Sequence, residues 1–249
     1  MSARVEREGQ ILIVTLERQA KRNAIDEETA SDIDAALNHL EDESGLRAAV
    51  ITGGTEVFSA GSDLKHGSGA PTPRGGEYGI IRRKARKPLI AAVEGLAFGG
   101  GMEIVLSCDL VVASSAARFG LPEIKHGLLA AYGGVFRSAR ALPLNIAKEI
   151  VLTGDPISAE RAAQFGLVNV LSQPGQALQE AIALGNRVVA NAPISVRESL
   201  RILEESAAES ERTGWAAMVP AMEKIMKSED SVEGRASFFE KREPVWKDR

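Results

Sequence analysis

The segment LIAAVEGLAFGGGMEIVLSCDLVVA, residues 89–113, holds two short apolar runs on either side of a glycine-rich turn. The runs at 89–93 and 110–113 have the length and composition of buried strands. Between them, three consecutive glycines at 99–101 open an apolar stretch, which we expect to be a helix ending near Cys108. This order of strand, turn, helix and strand predicts an α/β fold with a covered, parallel sheet.

The chain before this segment shows the same alternation. The β-branched run at 11–16 predicts a strand, and 48–52 predicts a second, buried one. Apolar residues recur at helical spacing over 26–43, where Asp26 is a suitable N-cap. The stretch 66–76 holds four glycines and two prolines, so we expect it to be mobile.

Helices dominate the remainder of the chain. A short strand is expected at 168–171. Helical patterns are found at 146–152, 158–165, 176–189, 196–226 and 232–242. The sequence therefore predicts an α/β core over residues 1–190 and a helical region over residues 191–249.

Composition restricts the class of protein. Of the 249 residues, 44% are hydrophobic and 26% are charged, which is typical of a globular protein. The net charge of −4 argues against wrapping nucleic acid as a main function. A single cysteine, Cys108, excludes an internal disulfide framework and a multi-cysteine metal site. No signal-peptide pattern is evident and no apolar run approaches the about 20 residues that span a bilayer, so we expect a cytoplasmic protein without a membrane partner.

The three glycines allow two interpretations. Each glycine costs about 1 kcal/mol relative to alanine inside a helix, so the absence of side chains there must have a reason. Either a ligand approaches the unpaired N–H groups at the helix start, or the helix packs tightly on a strand. The dinucleotide-binding and P-loop patterns are both incomplete, because Ile104 and Gly101 occupy the positions of their last glycine and of the lysine.

A second loop, Ala60-Gly61-Ser62-Asp63, also follows a buried strand. Loops at the carboxyl ends of parallel strands converge on one crevice. This loop and the glycine turn could therefore each direct one backbone N–H at a single oxygen. Losing one donor of such an oxyanion hole costs about 3–4 kcal/mol of transition-state stabilisation.

Two glutamates accompany the glycine turn. Glu103 lies inside the expected helix, and Glu123 follows in FGLPE, residues 119–123. Two carboxyl groups near an anion-stabilising helix start are typical of acid/base chemistry. A structural ion pair or a solvated surface charge would also account for either glutamate taken alone.

Taken together, these motifs resemble the enoyl-CoA hydratase/isomerase (crotonase) superfamily in order and spacing over nearly the whole chain. The resemblance is carried by FSAGSD (58–63), KPLIAAVEG (87–95), GGGME (99–103), CD (108–109), FGLPE (119–123), LTG (152–154), AAQFGLV (162–168) and FEKR (239–242). It implies a spiral of ββα turns. It also implies a C-terminal helical region that forms trimers, which commonly pair into hexamers.

By this resemblance, the N–H groups of Ser62 and Gly100 form the oxyanion hole for the carbonyl oxygen of an acyl-CoA thioester. Glu103 would deprotonate a water, and Glu123 would supply the proton to the α-carbon. Coenzyme A is then part of the substrate, and no separate cofactor or metal is expected. The implied activity is that of an enoyl-CoA hydratase. The alternatives are double-bond isomerisation, a carnitinyl-CoA dehydratase-like reaction, and a non-catalytic protein that binds CoA or RNA.

The resemblance also implies contacts with the rest of the acyl-CoA. They involve Lys21 and Ala24 in the nucleotide-side loop, Ala60, Ser62, Asp63, Leu64 and Lys65 along the pantetheine, and Phe238 and Lys241, which in some relatives reach CoA from a neighbouring subunit. Tyr132 departs from the family pattern and could project toward the acyl group. His66 and His126 lack the companion carboxylates of a metal site, so we expect them to be exposed or hydrogen-bonded.

Overall fold

The computed structural model describes residues 2–249, and two sheets organise it. The strands, in chain order, are β1 (Ala3–Glu8), β2 (Ile11–Leu16), β3 (Ala48–Thr52), β4 (Leu89–Val93), β5 (Leu96–Phe98), β6 (Leu110–Ser114), β7 (Arg118–Gly120), β8 (Ile157–Ser158) and β9 (Val170–Ser172). The helices are α1 (Glu27–Asp42), α2 (Gly100–Val105), α3 (Gly134–Ala141), α4 (Leu144–Thr153), α5 (Ala159–Gln164), α6 (Ala177–Val189), α7 (Pro193–Met226) and α8 (Glu229–Glu240).

The larger sheet has six strands in the order β1-β2-β3-β4-β6-β9, and the smaller has three in the order β5-β7-β8. From β2 to β9 the large sheet is parallel. The chain passes from the large sheet to the small sheet and back, as in β4, β5 and α2 followed by β6 and β7. This succession confirms the expected α/β spiral of ββα turns.

Both faces of the large sheet are covered at β2, β3 and β4, which explains why these strands read as continuous apolar runs. Along β2, Leu12 and Val14 face the main core, which α1 closes with Ile33 and Leu37. The alternate residues of β2 belong to a second buried cluster against α6. The two-residue period of a strand thus divides one apolar run between two layers.

The helix that follows the glycine turn is shorter than expected. It ends at Val105 instead of continuing to Cys108. The N–H groups of Ser107 and Cys108 donate to the carbonyl groups three residues before them, at 3.0 and 3.1 Å. The Ser107 hydroxyl donates to the Glu103 carbonyl at 2.7 Å. These bonds tighten the last turn and end the helix.

Other differences lie at the edges of the fold. Strand β1 was not expected and pairs antiparallel with β2, so the sheet is not entirely parallel. The strand expected at 168–171 is observed as β9, which begins two residues later and ends one residue later. The helix expected at 232–242 is observed as α8, which begins three residues earlier and ends two residues earlier. Helix ends are the least determined part of a sequence pattern, because their turns tighten or fray.

The C-terminal helices contact the core near the expected crevice. Helix α7 is tied down by an ion pair of 2.5 Å between Arg137 on α3 and Glu211. Helix α8 packs on the 3-10 helix Pro122–His126. The contact is so close that a side chain at Gly234 would overlap the His126 carbonyl. A division of the chain at residue 190 stays a prediction, as does the mobility of 66–76.

Candidate active site

The glycine turn packs tightly on its surroundings. Gly99 has φ of +53°, a conformation that favours glycine. A Cβ on Gly101 would stand 2.9 Å from the Ser59 side chain and would overlap its carbonyl. Close packing therefore accounts for part of the glycine run. It leaves Gly100 as the first residue of α2, where a backbone N–H has no partner within the helix.

The second loop lies directly beside this turn. Ser59 forms a parallel bridge with Ala97 of β5, which aligns the two loops. A Cβ on Gly61, whose φ is +94°, would stand 2.9 Å from the Gly100 nitrogen. Among the hydrogen bonds of residues 2–249, none uses the N–H of Ser62 or of Gly100 as its donor. The structure thus brings two open N–H donors to one place.

Glu103 is held in the crevice as a hydrogen-bond acceptor. Its side chain is buried, and its Oε1 accepts the N–H of Tyr132 at 2.7 Å and that of Gly134 at 3.0 Å. Burial, and after it the charge of Glu123, raises the pKa of the Glu103 carboxyl. The two N–H donors oppose this shift without cancelling it, and they fix Oε1 as a hydrogen-bond acceptor.

The carboxyl group of Glu123 is also buried, but it lacks the two N–H donors that Glu103 has. It lies on the 3-10 helix Pro122–His126, and its Oε1 stands 3.0 Å from the position that a Cβ on Gly99 would take. Its Oε2 is shielded from solvent and has no hydrogen-bond partner among the described residues. Burial raises the pKa of this carboxyl. A buried oxygen without a donor favours the protonated acid.

Neither glutamate is part of a structural ion pair. The salt bridges formed by residues 2–249 include neither Glu103 nor Glu123. Glu103 is also too buried to be a solvated surface charge, at 2% exposure. Of the interpretations that the sequence left open, the structure favours a functional carboxyl pair.

The loop after Ser62 is ordered by Asp63. Its carboxylate accepts the N–H groups of Lys65 and His66, each at 3.1 Å, and pairs with Arg18 at 3.2 Å. Although burial opposes it, the hydrogen bonds from His66 and Arg18 hold the pKa of Asp63 well below its usual range. The Asp63 side chain therefore supports the loop, while its neighbours Leu64 and Lys65 are exposed.

The nucleotide-side loop lies along the same edge. Ile25 bridges to Ser62, and the Ala60 N–H donates to the Arg22 carbonyl at 2.9 Å. Ala24 is half-buried beside this contact, and Lys21 is exposed, as is Ala60. The structure thus places Lys21 and Ala24 next to the Ser62 loop.

Helix α8 brings the C-terminal residues to the crevice within one chain. A small cavity of about 30 Å³ lies between the Ser62 loop and α8 and includes Leu64, His126 and Phe238 in its lining. Phe238 is 46% exposed and packs edge-to-face on His126, with ring centroids 4.9 Å apart. The structure brings Phe238 and Leu64 together, whereas Lys241 lies outside that lining, exposed at the end of α8.

Both histidines are partly exposed: His66 is open to solvent beside Asp63, and His126 is half-buried.

Sequence reasoning missed Tyr78. This residue is buried, its hydroxyl lies 2.6 Å from the Ser62 hydroxyl, and its ring packs edge-to-face on Tyr132 with centroids 5.1 Å apart. Tyr132 is half-buried, and its N–H bonds to Glu103. Tyr78 lies close enough to both glutamates for their charges to affect its hydroxyl. The available signal was a lone aromatic residue among glycines in GGEYG, residues 75–79.

The described part of the chain holds neither a metal-binding cluster nor a membrane-spanning helix. Residues 2–249 contain no cluster of three or more His, Cys, Asp or Glu that could hold a metal ion. None of the helices they form combines the length and the apolar composition that a membrane crossing requires.

A ββα spiral that brings two open N–H donors and a carboxyl pair to one crevice defines a class of proteins, the crotonase superfamily. Within that class, this chain belongs to the enoyl-CoA hydratase/isomerase family, whose model matches residues 6–249.

Relatives match over nearly their full length. A short-chain-enoyl-CoA hydratase of Clostridium acetobutylicum is 34% identical over 246 residues, covering 96% of this chain and 94% of the relative. A carnitinyl-CoA dehydratase of Escherichia coli K12 is 38% identical over 262 residues, covering 100% and 99%. The crystal structure of a carnitinyl-CoA hydratase from Mycobacterium avium superposes with a TM-score of 0.94 at 40% identity, over 100% of this chain and 99% of that chain.

Proposed function

We propose that this chain is an enoyl-CoA hydratase, a hydro-lyase that adds water reversibly to a 2-trans-enoyl-CoA thioester. The observation that carries the proposal is the asymmetry of the glutamate pair. Glu103 is fixed as an acceptor by two backbone N–H groups, whereas Glu123 holds a buried oxygen with no donor. One carboxylate and one carboxylic acid are what hydration needs, since water must lose a proton and the α-carbon must gain one.

The charge that develops during addition falls on the thioester oxygen. As water attacks the β-carbon, the electrons of the double bond move toward the carbonyl and form an enolate. The N–H groups of Ser62 and Gly100 would receive this oxygen, and the start of α2 would add its positive end. These donors would bind the enolate more strongly than the neutral carbonyl, which is the condition for faster chemistry.

The protons balance across one turnover. Glu103 takes a proton from the water as its oxygen bonds to the β-carbon. Glu123 gives its proton to the α-carbon, and the enolate returns to a thioester. After one turnover the proton of the pair lies on Glu103 instead of Glu123. Proton exchange with water then returns the pair to its starting state. Two carboxyl groups in one shielded space share a proton readily, because burial and mutual repulsion both disfavour two charges.

The CoA portion would lie along the exposed edge of the crevice. Lys21 offers a cation for its phosphates, and the chain from Ala60 to Lys65 follows the pantetheine. Phe238 and Lys241 would contact CoA from the C-terminal side. The chemistry uses only carboxyl and N–H groups of this chain, so we propose that no cofactor beyond the CoA of the substrate takes part.

We also propose that the chain self-associates as a trimer or a hexamer. Large apolar side chains are exposed along both C-terminal helices, which supports a buried interface there. They include Ile202, Leu203 and Val219 on α7 and Val232 and Phe239 on α8. Light scattering of the purified protein would distinguish these two states from a monomer.

A substrate panel tests the proposed function. The purified chain is incubated with crotonyl-CoA and longer 2-enoyl-CoA thioesters, and loss of the conjugated absorbance is followed. A 3-enoyl-CoA tests isomerisation in the same assay, because a shifted double bond creates that absorbance. Labelled RNA at physiological salt tests the non-catalytic alternative. Inactivity on every 2-enoyl-CoA would exclude a general hydratase.

The relatives support a second candidate, which runs the same chemistry in the direction of dehydration. Several of the matched proteins are named for carnitinyl-CoA. If this chain shares that substrate, carnitinyl-CoA should give a conjugated absorbance at a kcat/KM well above that for 3-hydroxybutyryl-CoA. The reverse order would favour the short-chain hydratase.

A further inference from the structure

We propose that the Tyr78 hydroxyl, positioned by Ser62, is a third hydrogen-bond donor to the thioester oxygen as it becomes an enolate. The proposal rests on the hydratase function proposed above and adds a residue that the family resemblance did not assign. Four observations carry it: the place of the phenol, the count of hydroxyl hydrogens, the burial of the group and its backbone conformation.

The phenol lies between the two residues whose N–H groups are open. Its Oη is 2.6 Å from the Ser62 Oγ. Its ring stands against Gly100, since a Cβ on that glycine would come within 2.7 Å of the Tyr78 Cε2 and would overlap its hydroxyl. An oxygen that accepted the N–H groups of Ser62 and Gly100 would therefore lie next to the Tyr78 hydroxyl.

The hydroxyl pair has one hydrogen to spare. Ser62 and Tyr78 each carry one O–H, and their mutual bond uses one of the two. Among residues 2–249, neither hydroxyl group makes any other hydrogen bond. If Ser62 donates to Tyr78, the phenolic hydrogen remains for a third acceptor, and a thioester oxygen in the crevice supplies it.

The phenol is also in the state that a donor requires. Tyr78 is 2% exposed. Burial, and after it the charge of Glu103, raises the pKa of its hydroxyl. A phenol that keeps its proton in a shielded site can donate a hydrogen bond that is stronger there than in water.

The backbone at Tyr78 is unusual for a side chain of this size. Its φ is +53° and its ψ is 11°, in the left-handed region that bulky residues rarely adopt. Two glycines with positive φ, Gly76 and Gly79, flank it in the chain. A glycine at position 78 would adopt this conformation without strain. The presence of a tyrosine there indicates that the phenol itself is needed at the site.

The test compares three variants with the wild-type enzyme. Tyr78→Phe removes the hydroxyl and keeps the ring. Ser62→Ala removes the partner hydroxyl and keeps the backbone N–H. The double variant shows whether the two act as one unit. Each is assayed on crotonyl-CoA, and each is bound to butyryl-CoA carrying a 13C-labelled carbonyl, whose infrared stretch reports the hydrogen bonds to that oxygen.

We expect Tyr78→Phe to lower kcat about 10- to 100-fold with little change in KM, near the range for loss of one oxyanion donor. Its carbonyl stretch should lie above the wild-type frequency. Ser62→Ala should show a smaller effect of the same sign, and the double variant should be no worse than Tyr78→Phe. Tyr132→Phe, whose ring touches Tyr78, should keep the wild-type carbonyl frequency even if its KM changes.

A wild-type carbonyl frequency in Tyr78→Phe would overturn the inference, whatever the effect on kcat, because a purely structural role would leave that frequency unmoved. If Tyr78→Phe does not fold, the frequency in Ser62→Ala decides instead. If the wild-type chain binds butyryl-CoA but hydrates nothing, the proposed function fails, and the infrared comparison still decides the role of Tyr78.

Discussion

Gly61 packs against Gly100 so closely that a Cβ on Gly61 would stand 2.9 Å from the Gly100 nitrogen. This contact holds the loop of Ser62 against the start of α2, although the two come from different turns of the spiral. Ser62 and Gly100 are neighbours in space for this reason, although 38 positions separate them in the sequence.

Gly61→Ala should therefore lower both stability and activity. An alanine at φ of +94° is strained by about 1–2 kcal/mol, and its methyl group would push the Gly100 nitrogen away. We expect kcat on crotonyl-CoA to fall at least tenfold. Gly9→Ala is the matched control, since Gly9 has φ of +58° with nothing within 4 Å of a new Cβ. The Gly9→Ala variant should lose stability through the same kind of backbone strain, and its kcat should equal that of the wild type. Equal kcat in the two variants would contradict the packing account.

Glu123→Gln should abolish the supply of the α-proton. Glutamine keeps the size of the side chain but cannot act as an acid, and general acid catalysis contributes about 10²- to 10⁴-fold. We expect kcat to fall by that factor while KM changes little, measured by loss of enoyl absorbance. Glu8→Gln, on the exposed face of β1, should behave as wild type. A Glu123→Gln enzyme with the wild-type rate would remove Glu123 from the mechanism.

Glu103→Gln should stabilise the fold, and more so as pH rises. Because the pKa of Glu103 is raised in the folded chain, the folded state keeps a proton that the unfolded state has already lost. The free energy of unfolding of the wild type therefore falls as pH rises from about 4.3, the usual value for glutamate, through the raised pKa.

The glutamine variant lacks this penalty. Its advantage should be near zero at pH 4 and reach about 1–3 kcal/mol by pH 9, measured by urea denaturation across the pH range. Glu8→Gln should show no such trend. An advantage that shrinks with rising pH would mean that the folded chain favours the charged form of Glu103.

Asp63→Asn should weaken substrate binding with little effect on chemistry. The amide keeps the acceptor for the Lys65 and His66 N–H groups but loses the charge that pairs with Arg18. The loop that follows Ser62 would then be less ordered. We expect KM to rise about tenfold, which corresponds to about 1.4 kcal/mol. Glu149→Gln, which breaks an exposed pair of 2.7 Å with Arg161, should leave KM unchanged. A fall in kcat alone would assign Asp63 a different role.

The parallel core was predictable because its signal is local. The runs at 48–52 and 89–93 are buried on both faces, so no polar residue interrupts them. Strand β1 was missed because only its first residue is buried, while charged side chains such as Arg4 and Glu6 cover the rest. Charges of this kind protect a sheet edge and hide the strand from a pattern search.

The small sheet could not be read from the sequence for a different reason. Strands β5, β7 and β8 have two or three residues each, shorter than any periodic pattern can resolve. Their pairing brings Ala97 against Phe119 and Phe119 against Ile157, across distant parts of the chain. Only the family resemblance indicated this second layer.

At the site, motifs identified the groups whose position follows from the backbone. The loops of Ser62 and Gly100 and the two glutamates each lie in a short, recognisable segment. Tyr78 escaped because it reaches the crevice from a glycine-rich loop that has no periodicity. Its contact with Ser62 spans 16 positions and depends on a left-handed backbone at Tyr78 itself.

In the proposed reaction, Glu103 and Glu123 hydrate an enoyl thioester held between them. The most direct measurement is the initial rate of absorbance loss of crotonyl-CoA and longer 2-enoyl-CoA thioesters, with wild type and Glu103→Gln compared under the same conditions. We predict hydration by the wild type and a rate at least about 100-fold lower for the variant, despite its more stable fold. A wild type inactive on every thioester, or a variant as fast as wild type, would contradict the account.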